Sequence, residues 1–213
     1  MNADGSAAGF RDWVAARLDP LETETGAGGA HRSDFDLDGG AAQSEAPLTP
    51  AAVLVGLVER PSGLHVILTR RADTLRRHTG QIALPGGRCD PGETPWAAAL
   101  REAQEEIGLD PALVTVVGLS TPYRTGTGYF VTPVVGFVAP GYVPNPNPDE
   151  VADVFETPFE FLMDPANHEA KAHETPEGVT RRYWAMTWDD RFIWGATAGM
   201  LRALYHRLYG ETP

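Results

Sequence analysis

Three glutamates within five residues, Glu102, Glu105 and Glu106, carry the strongest chemical signal in the chain. They lie in Trp96 to Ile107, a run of helix formers free of Gly and Pro, preceded by Thr94-Pro95 and followed by Gly108. Thr94 suits an N-cap, Pro95 stands where a helix tolerates proline, and Gly108 stands where a left-handed residue ends one. At roughly 100° per residue, Ala99, Leu100, Ala103 and Ile107 share one face. The glutamates project from a neighbouring face, with Glu102 and Glu106 one turn apart. Like charges at that spacing repel by a few tenths of a kcal/mol, so the cluster is unfavourable unless a cation lies in it. Carboxylate oxygens suit Mg²⁺ or Mn²⁺, whose octahedra are completed by water and phosphate oxygens. Such an ion neutralises phosphate oxygens and acidifies a bound water, and a carboxylate left free takes the proton. Arg101, one turn before Glu105, is placed to neutralise or orient it.

The lead into this helix is equally specific. Asp90-Pro91-Gly92 is a turn signal, with proline pre-set for the first central position and glycine supplying positive φ at the next. Gly87, five residues, Glu93, seven residues, then Arg101-Glu102-Ala103-Gln104-Glu105-Glu106-Ile107-Gly108-Leu109 reproduces the Nudix box without a gap. At average residue usage, seven fixed positions match by chance on the order of 10⁻⁶ of the time over a chain of this length. The chain therefore resembles the Nudix hydrolases. That resemblance implies an α/β fold, a Nudix-type α/β/α sandwich with a mixed β-sheet, and a loop–helix–loop that binds divalent metal and a diphosphate. It implies Glu102 and Glu106 as direct ligands, Glu105 as a third ligand or a base, and the Gly87 carbonyl as a further metal contact. By the same resemblance Glu93 closes the loop onto the helix and Arg101 pins a glutamate. The general base is either Glu105 or Glu150, which follows the Pro144 to Asp149 loop.

The flanks resemble the coenzyme A diphosphatase subgroup over about residues 50–208. Upstream stand Leu68-Thr69-Arg70-Arg71-Ala72, Arg76, Gly80 and Leu84-Pro85-Gly86-Gly87, with Leu84 where phenylalanine is usual. Downstream stand Thr127-Gly128-Tyr129, Val131 to Gly136, Glu150-Val151 and Ile193-Trp194-Gly195-Ala196-Thr197-Ala198. The resemblance implies cleavage of coenzyme A to 4′-phosphopantetheine and adenosine 3′,5′-bisphosphate. Arg70, Arg71, Arg76, Arg77 and His78 form a dense positive patch suited to phosphate oxygens, because guanidinium donors are forked. Tyr129, at a Thr-Gly-Tyr turn, is a further candidate for lining the site. Two other readings stay open. One is a Nudix hydrolase for ADP-ribose, NADH, a dinucleoside polyphosphate or a nucleoside triphosphate. The other is a Nudix-fold nucleotide-binding module without catalysis, although such modules usually lack part of the glutamate set and here all of it is present.

The elements that must position these residues come from hydrophobic pattern. Residues 6–18 suggest one short amphipathic helix, and the Gly-, Ala- and acid-rich stretch from Pro20 to Pro47 reads as a loop. Ala51 to Glu59 and Leu64 to Thr69 suggest a hairpin across Arg60 to Gly63. Further strands are expected at Val114 to Ser120, Phe130 to Ala139 and Thr180 to Trp188. Helices are expected from Pro158 to Met163, with Thr157 as N-cap, and from Gly195 to Tyr209, stopped by Gly210. The absence of a regular βαβ rhythm favours a mixed sheet between helices. Residues 1–47 are thus a lead and 48–213 the hydrolase domain.

Composition limits the partners. At 213 residues and 42% apolar the chain is long enough for one core, and its formal net charge of −12 argues against general affinity for nucleic acid or anionic membrane. The single cysteine, Cys89, excludes an intramolecular disulfide, and no secretory signal or long apolar run is evident, so a cytoplasmic protein is expected. Cys89 looks incidental, and His168 and His173 look like surface residues. Trp184, Trp188 and Trp194 look like core, one of them able to stack on adenine. The resemblance allows a homodimer.

Overall fold

The computed structural model describes residues 7–23, 30–39, 46–72, 80–175 and 178–210. Its elements are α1 (Ala7–Ala15), β1 (Arg32–Ser33), β2 (Thr49–Arg60), β3 (Gly63–Arg71), β4 (Ile82–Ala83), β5 (Gly86–Arg88) and α2 (Pro95–Ile107). Then follow β6 (Val114–Leu119), β7 (Tyr123–Arg124), β8 (Tyr129–Val138), β9 (Val151–Pro158) and α3 (Phe159–Leu162). The chain ends with β10 (Glu169–Glu174), β11 (Thr180–Trp188), β12 (Arg191–Trp194) and α4 (Ala196–Tyr209).

The main sheet runs β1-β7-β8-β2-β3-β4, with β5 also paired to β2, β6 to β8 and β9 to β3. β2 and β8 run parallel from Thr49↔Tyr129 to Val58↔Val138, and β2 pairs antiparallel with β3 across the expected turn. The sheet is therefore mixed. Side chains alternate across it, as a strand requires. Ala51, Val55 and Leu57 of β2 point into a core shared with α1, α3 and α4, whereas Ala52, Leu54 and Val58 point into a core shared with α2. The result is an α/β/α sandwich. A second, antiparallel sheet, β10-β11-β12, packs on α4 through buried Met186 and Ile193.

α2 forms where its capping signals place it. Thr94 Oγ1 accepts from Ala97 N at 3.3 Å, and Gly108 ends the helix at φ 66°. Its buried arc is Ala98, Ala99, Ala103, Glu106 and Ile107, so Ala98 replaces Leu100, which is only half-buried. Burying Ile107 alone contributes about 2 kcal/mol, several times the Glu102/Glu106 repulsion of about 0.2–0.5 kcal/mol, so packing rather than charge decides the orientation of this helix.

Several expectations are corrected by long-range pairing. Thr157 does not cap α3; it pairs with Val66 at the end of β9, is fully buried, and Pro158 precedes the helix without a side-chain cap. The 20–47 stretch is not wholly loop: β1 pairs parallel with β7, and Asp34 accepts from Gly126 N at 2.7 Å and Tyr123 Oη at 2.9 Å. A two-residue strand has no period for a sequence to display. α1 likewise packs on the main core through Val14, Phe10 and Trp13. His168 is buried rather than on the surface: its Nε2 contacts the Leu162 carbonyl oxygen at 2.8 Å and its Nδ1 contacts Arg202 at 3.2 Å. Burial pushes its pKa down, which favours a neutral ring donating from Nε2 and accepting at Nδ1.

Candidate active site

The loop between β5 and α2 is held by a clamp of opposite charges. Glu93 accepts from Asp90 N at 2.9 Å and from Arg101 Nε and Nη2, each at 2.9 Å. Arg101 also donates to Glu102 at 2.8 Å, to Glu105 at 3.3 Å and to the Arg88 carbonyl oxygen at 3.0 Å. One guanidinium thus ties the loop to two glutamates, and the contacts with Glu93 and Glu102 raise its pKa. Geometry assigns Arg101 to positioning.

The glutamates have three different environments. Glu105 has a side chain 57% exposed, and its Oε2 accepts from Arg101 at 3.3 Å. Glu102 leans over β5, where its carboxyl group fills the space a Cβ on Gly87 would need. Glu106 is 6% exposed and accepts from Gly86 N at 3.1 Å. Burial pushes the Glu106 carboxyl up to about 7; the Gly86 N–H and Arg71 pull it down, and Glu102 and Glu150 push it further up. Glu102, Glu106, Glu150 and Arg71 therefore share one electrostatic neighbourhood. The expected gathering of all three box glutamates is not found: among the described residues no three His, Cys, Asp or Glu side chains form a metal-sized group. Glu102 and Glu106 face β5 at Gly87 and Gly86, while Glu105 is largely exposed.

Two long-range elements approach the Glu106 carboxyl group. Arg71, at the end of β3, has a buried Nε with no hydrogen-bond partner among the described residues. Glu150 comes from the loop before β9, which is fastened to the end of α2: Asn147 N donates to the Glu106 carbonyl oxygen at 2.8 Å and Asn145 N to that of Ile107 at 3.0 Å. The Glu150 carbonyl oxygen accepts from Ala72 N at 2.9 Å, so the base candidate and the Arg71 strand end are stitched together. A buried carboxyl group with two like-charged neighbours and an oxygen-only donor set fits a hard divalent cation. The unpaired Nε–H of Arg71 fits an anionic oxygen beside it.

Other expected contacts separate. Arg70 and Arg71 do not form one patch, because adjacent strand residues face opposite ways. Arg70 lines a cavity of about 680 Å³ with Gln81, Asp153, Arg191 and Trp194, where Arg191 pairs with Asp153 at 2.6 Å. Arg76, Arg77 and His78 lie outside the described residues. Tyr129 holds Arg88 through its hydroxyl, at 2.9 Å from Nη2, on the strand that carries Gly87. Arg88 was missed by sequence reasoning, its only signal being its place beside the box glycine. Cys89 is half-buried and its thiol is pushed up by burial, so it is held protonated. Trp184 and Trp188 pack against Arg202 and Phe161, and Trp194 packs against Tyr183.

Comparison with known proteins shows the family. The NUDIX domain family matches residues 48–182, well over half of the chain. The chain is a Nudix hydrolase. It is 45% identical over 166 residues to the Cronobacter sakazakii protein named "Uncharacterized Nudix hydrolase NudL", covering 76% of this chain and 84% of that one. The protein of the same name from Escherichia coli O7:K1 is 43% identical over 159 residues, covering 72% and 80%. Among solved structures, the Nudix hydrolase RenU from M. smegmatis is 29% identical with a TM-score of 0.46, covering 54% of this chain and 73% of that one. As a Nudix diphosphatase the chain hydrolyses phosphorus anhydrides, and Nudix enzymes generally use divalent metal ions. No described helix is long and apolar enough to cross a membrane.

The close approach of Gly87 to Glu102 yields a test. Gly87 lacks a positive φ, so alanine is tolerated by the backbone, but its Cβ displaces the Glu102 carboxyl group. Gly87→Ala is expected to lower kcat by about a hundredfold, since an ångström of misplacement is enough. Its melting temperature should stay within a few degrees of wild type, because the group displaced is the free end of a side chain. Unchanged kcat would remove Glu102 from the catalytic centre.

Proposed function

We propose that the chain hydrolyses the diphosphate bond of coenzyme A or a CoA derivative with Mg²⁺ or Mn²⁺, releasing 4′-phosphopantetheine, or its acyl form, and adenosine 3′,5′-bisphosphate. The observation that supports this reading is the meeting of three distant motifs at Glu106. Arg71 and Gly86 belong to the upstream run that resembles the CoA subgroup, Glu106 to the box, and Glu150 to the downstream loop; Arg71, Gly86 and Glu150 all act on the one Glu106 carboxyl group.

Glu102, Glu106 and the Gly87 carbonyl would hold the cation. When bound, it neutralises diphosphate oxygens and acidifies the attacking water. Arg71 donates its buried Nε–H to a phosphate oxygen, satisfying a donor that has no partner among the described residues. Glu150, which is exposed and makes no ion pair among the described residues, takes the water's proton. Glu105 is the weaker base because Arg101 already occupies it. Arg101 and Glu93 keep the box loop in register with α2.

The test is a panel of CoA, an acyl-CoA, oxidised CoA, NADH, ADP-ribose and a dinucleoside polyphosphate, each with Mg²⁺ or Mn²⁺ and with products identified by mass spectrometry. CoA is expected to give the two products named above. Brisk ADP-ribose cleavage beside no CoA cleavage overturns the substrate assignment and leaves the hydrolase assignment standing.

A further inference from the structure

We propose that this hydrolase carries a second, separate site for a phosphate-sized oxyanion, either free phosphate or the end of a phosphomonoester, between α4, β1 and β7. The cavity there has a volume of about 180 Å³ and is lined by Arg32, Ser33, Tyr123, Trp184, Arg202 and His206, with Asp36 also on its wall. That volume is below the ~300 Å³ at which pockets start to take drug-sized ligands, and well above the ~30 Å³ share of one water. The cavity lies on the sheet face covered by α4, whereas α2 and its glutamates cover the opposite face.

Charge gives the cavity its sign. In a chain of net charge −12, Arg60, Arg101, Arg181, Arg182, Arg191 and Arg207 all pair with carboxylates. Among the described residues no carboxylate makes an ion pair with Arg32 or Arg202. Arg202 instead lies 3.8 Å over the Trp184 ring and contacts Nδ1 of buried His168 at 3.2 Å. Stacking on an aromatic face fixes the guanidinium plane and leaves its remaining edge donors to an anion. Burial and neighbouring cations, Arg202 and Arg32 first among them, pull His206 down, as expected for positive groups crowded without a counter-charge.

The neutral donors point the same way. Ser33 is buried, and its Oγ accepts from Phe35 N at 2.9 Å, which leaves the hydroxyl hydrogen available for an anion. The nearby acid that could have neutralised the cluster is occupied: Asp34 takes Tyr123 Oη at 2.9 Å and Gly126 N at 2.7 Å. Asp36, on the cavity wall, is exposed, so solvent and salt screen its opposition to an anion.

The test is calorimetric titration of the full chain with inorganic phosphate, sulfate, methyl phosphate and chloride at matched ionic strength, with chelator present. Phosphate and sulfate are expected to bind one site and chloride is not. Arg32→Ser should weaken phosphate about tenfold, the loss typical of one charge-assisted hydrogen bond, and Arg202→Gln should weaken it at least as much. Glu106→Gln should leave it unchanged. Methyl phosphate binding as well as phosphate assigns the site to a monoester end, and its rejection assigns it to free phosphate. Binding that survives both arginine changes, is lost in Arg71→Gln, or is matched by chloride overturns the proposal. Arg32 is exposed, so Arg32→Ser decides even if Arg202→Gln fails to fold.

Discussion

Glu106→Gln is expected to lower kcat/KM by about 10³-fold or more, which corresponds to roughly 4 kcal/mol of transition-state stabilisation. Glutamine keeps the side-chain shape and an oxygen for the Gly86 N–H, so the loop and α2 should stay in place. What disappears is the charge that, with Glu102 and beside Glu150, calls for a cation. The variant should therefore match or exceed the wild-type melting temperature in chelator, since like-charge repulsion is relieved. It should also lose most of the rise in melting temperature that Mg²⁺ or Mn²⁺ gives the wild type. Wild-type turnover by Glu106→Gln would mean that this carboxyl group is structural and that the cation, if used, sits elsewhere.

Replacement of Glu150 separates the two base candidates. Glu150→Gln is expected to reduce kcat by about 10²- to 10⁴-fold, the range supplied by a positioned proton acceptor, while KM changes little. Glu105→Gln should cost no more than about tenfold, because Glu105 is largely exposed and contributes through its Arg101 contact. Steady-state kinetics on all three proteins, with melting temperatures measured in parallel, decide the matter. If Glu105→Gln falls by the larger factor, the base lies on the helix. Thermal stability is expected to be unaffected in both variants, since both side chains reach solvent.

The box was legible because its signals are local. Thr94, Pro95 and Gly108 set the limits of α2 through backbone chemistry confined to a few residues, and the helical period sets the neighbours of Glu102 and Glu106. The β2–β3 hairpin and β11 were legible for the same reason, each carrying its own alternation or turn. The arc of α2 was misread by one residue, because whether Leu100 or Ala98 faces inward depends on how the helix sits on β2 rather than on its own pattern.

What the chain alone carried is the family resemblance: the box of glycine, glutamates and arginine stands in neighbouring residues, and by that resemblance it implies a hydrolase whose glutamates suit a divalent cation. Only the tertiary structure decided which groups join them. It turned Arg71 and Arg70 to opposite sides of the sheet, buried His168 and Thr157, and brought the Glu150 loop against the end of α2 through Asn145 and Asn147. It also built the Arg32–Arg202 cavity from segments about 170 residues apart. The physical reason is that strand pairing and burial are set by partners far along the chain, and a period of two or 3.6 residues contains no information about who those partners are.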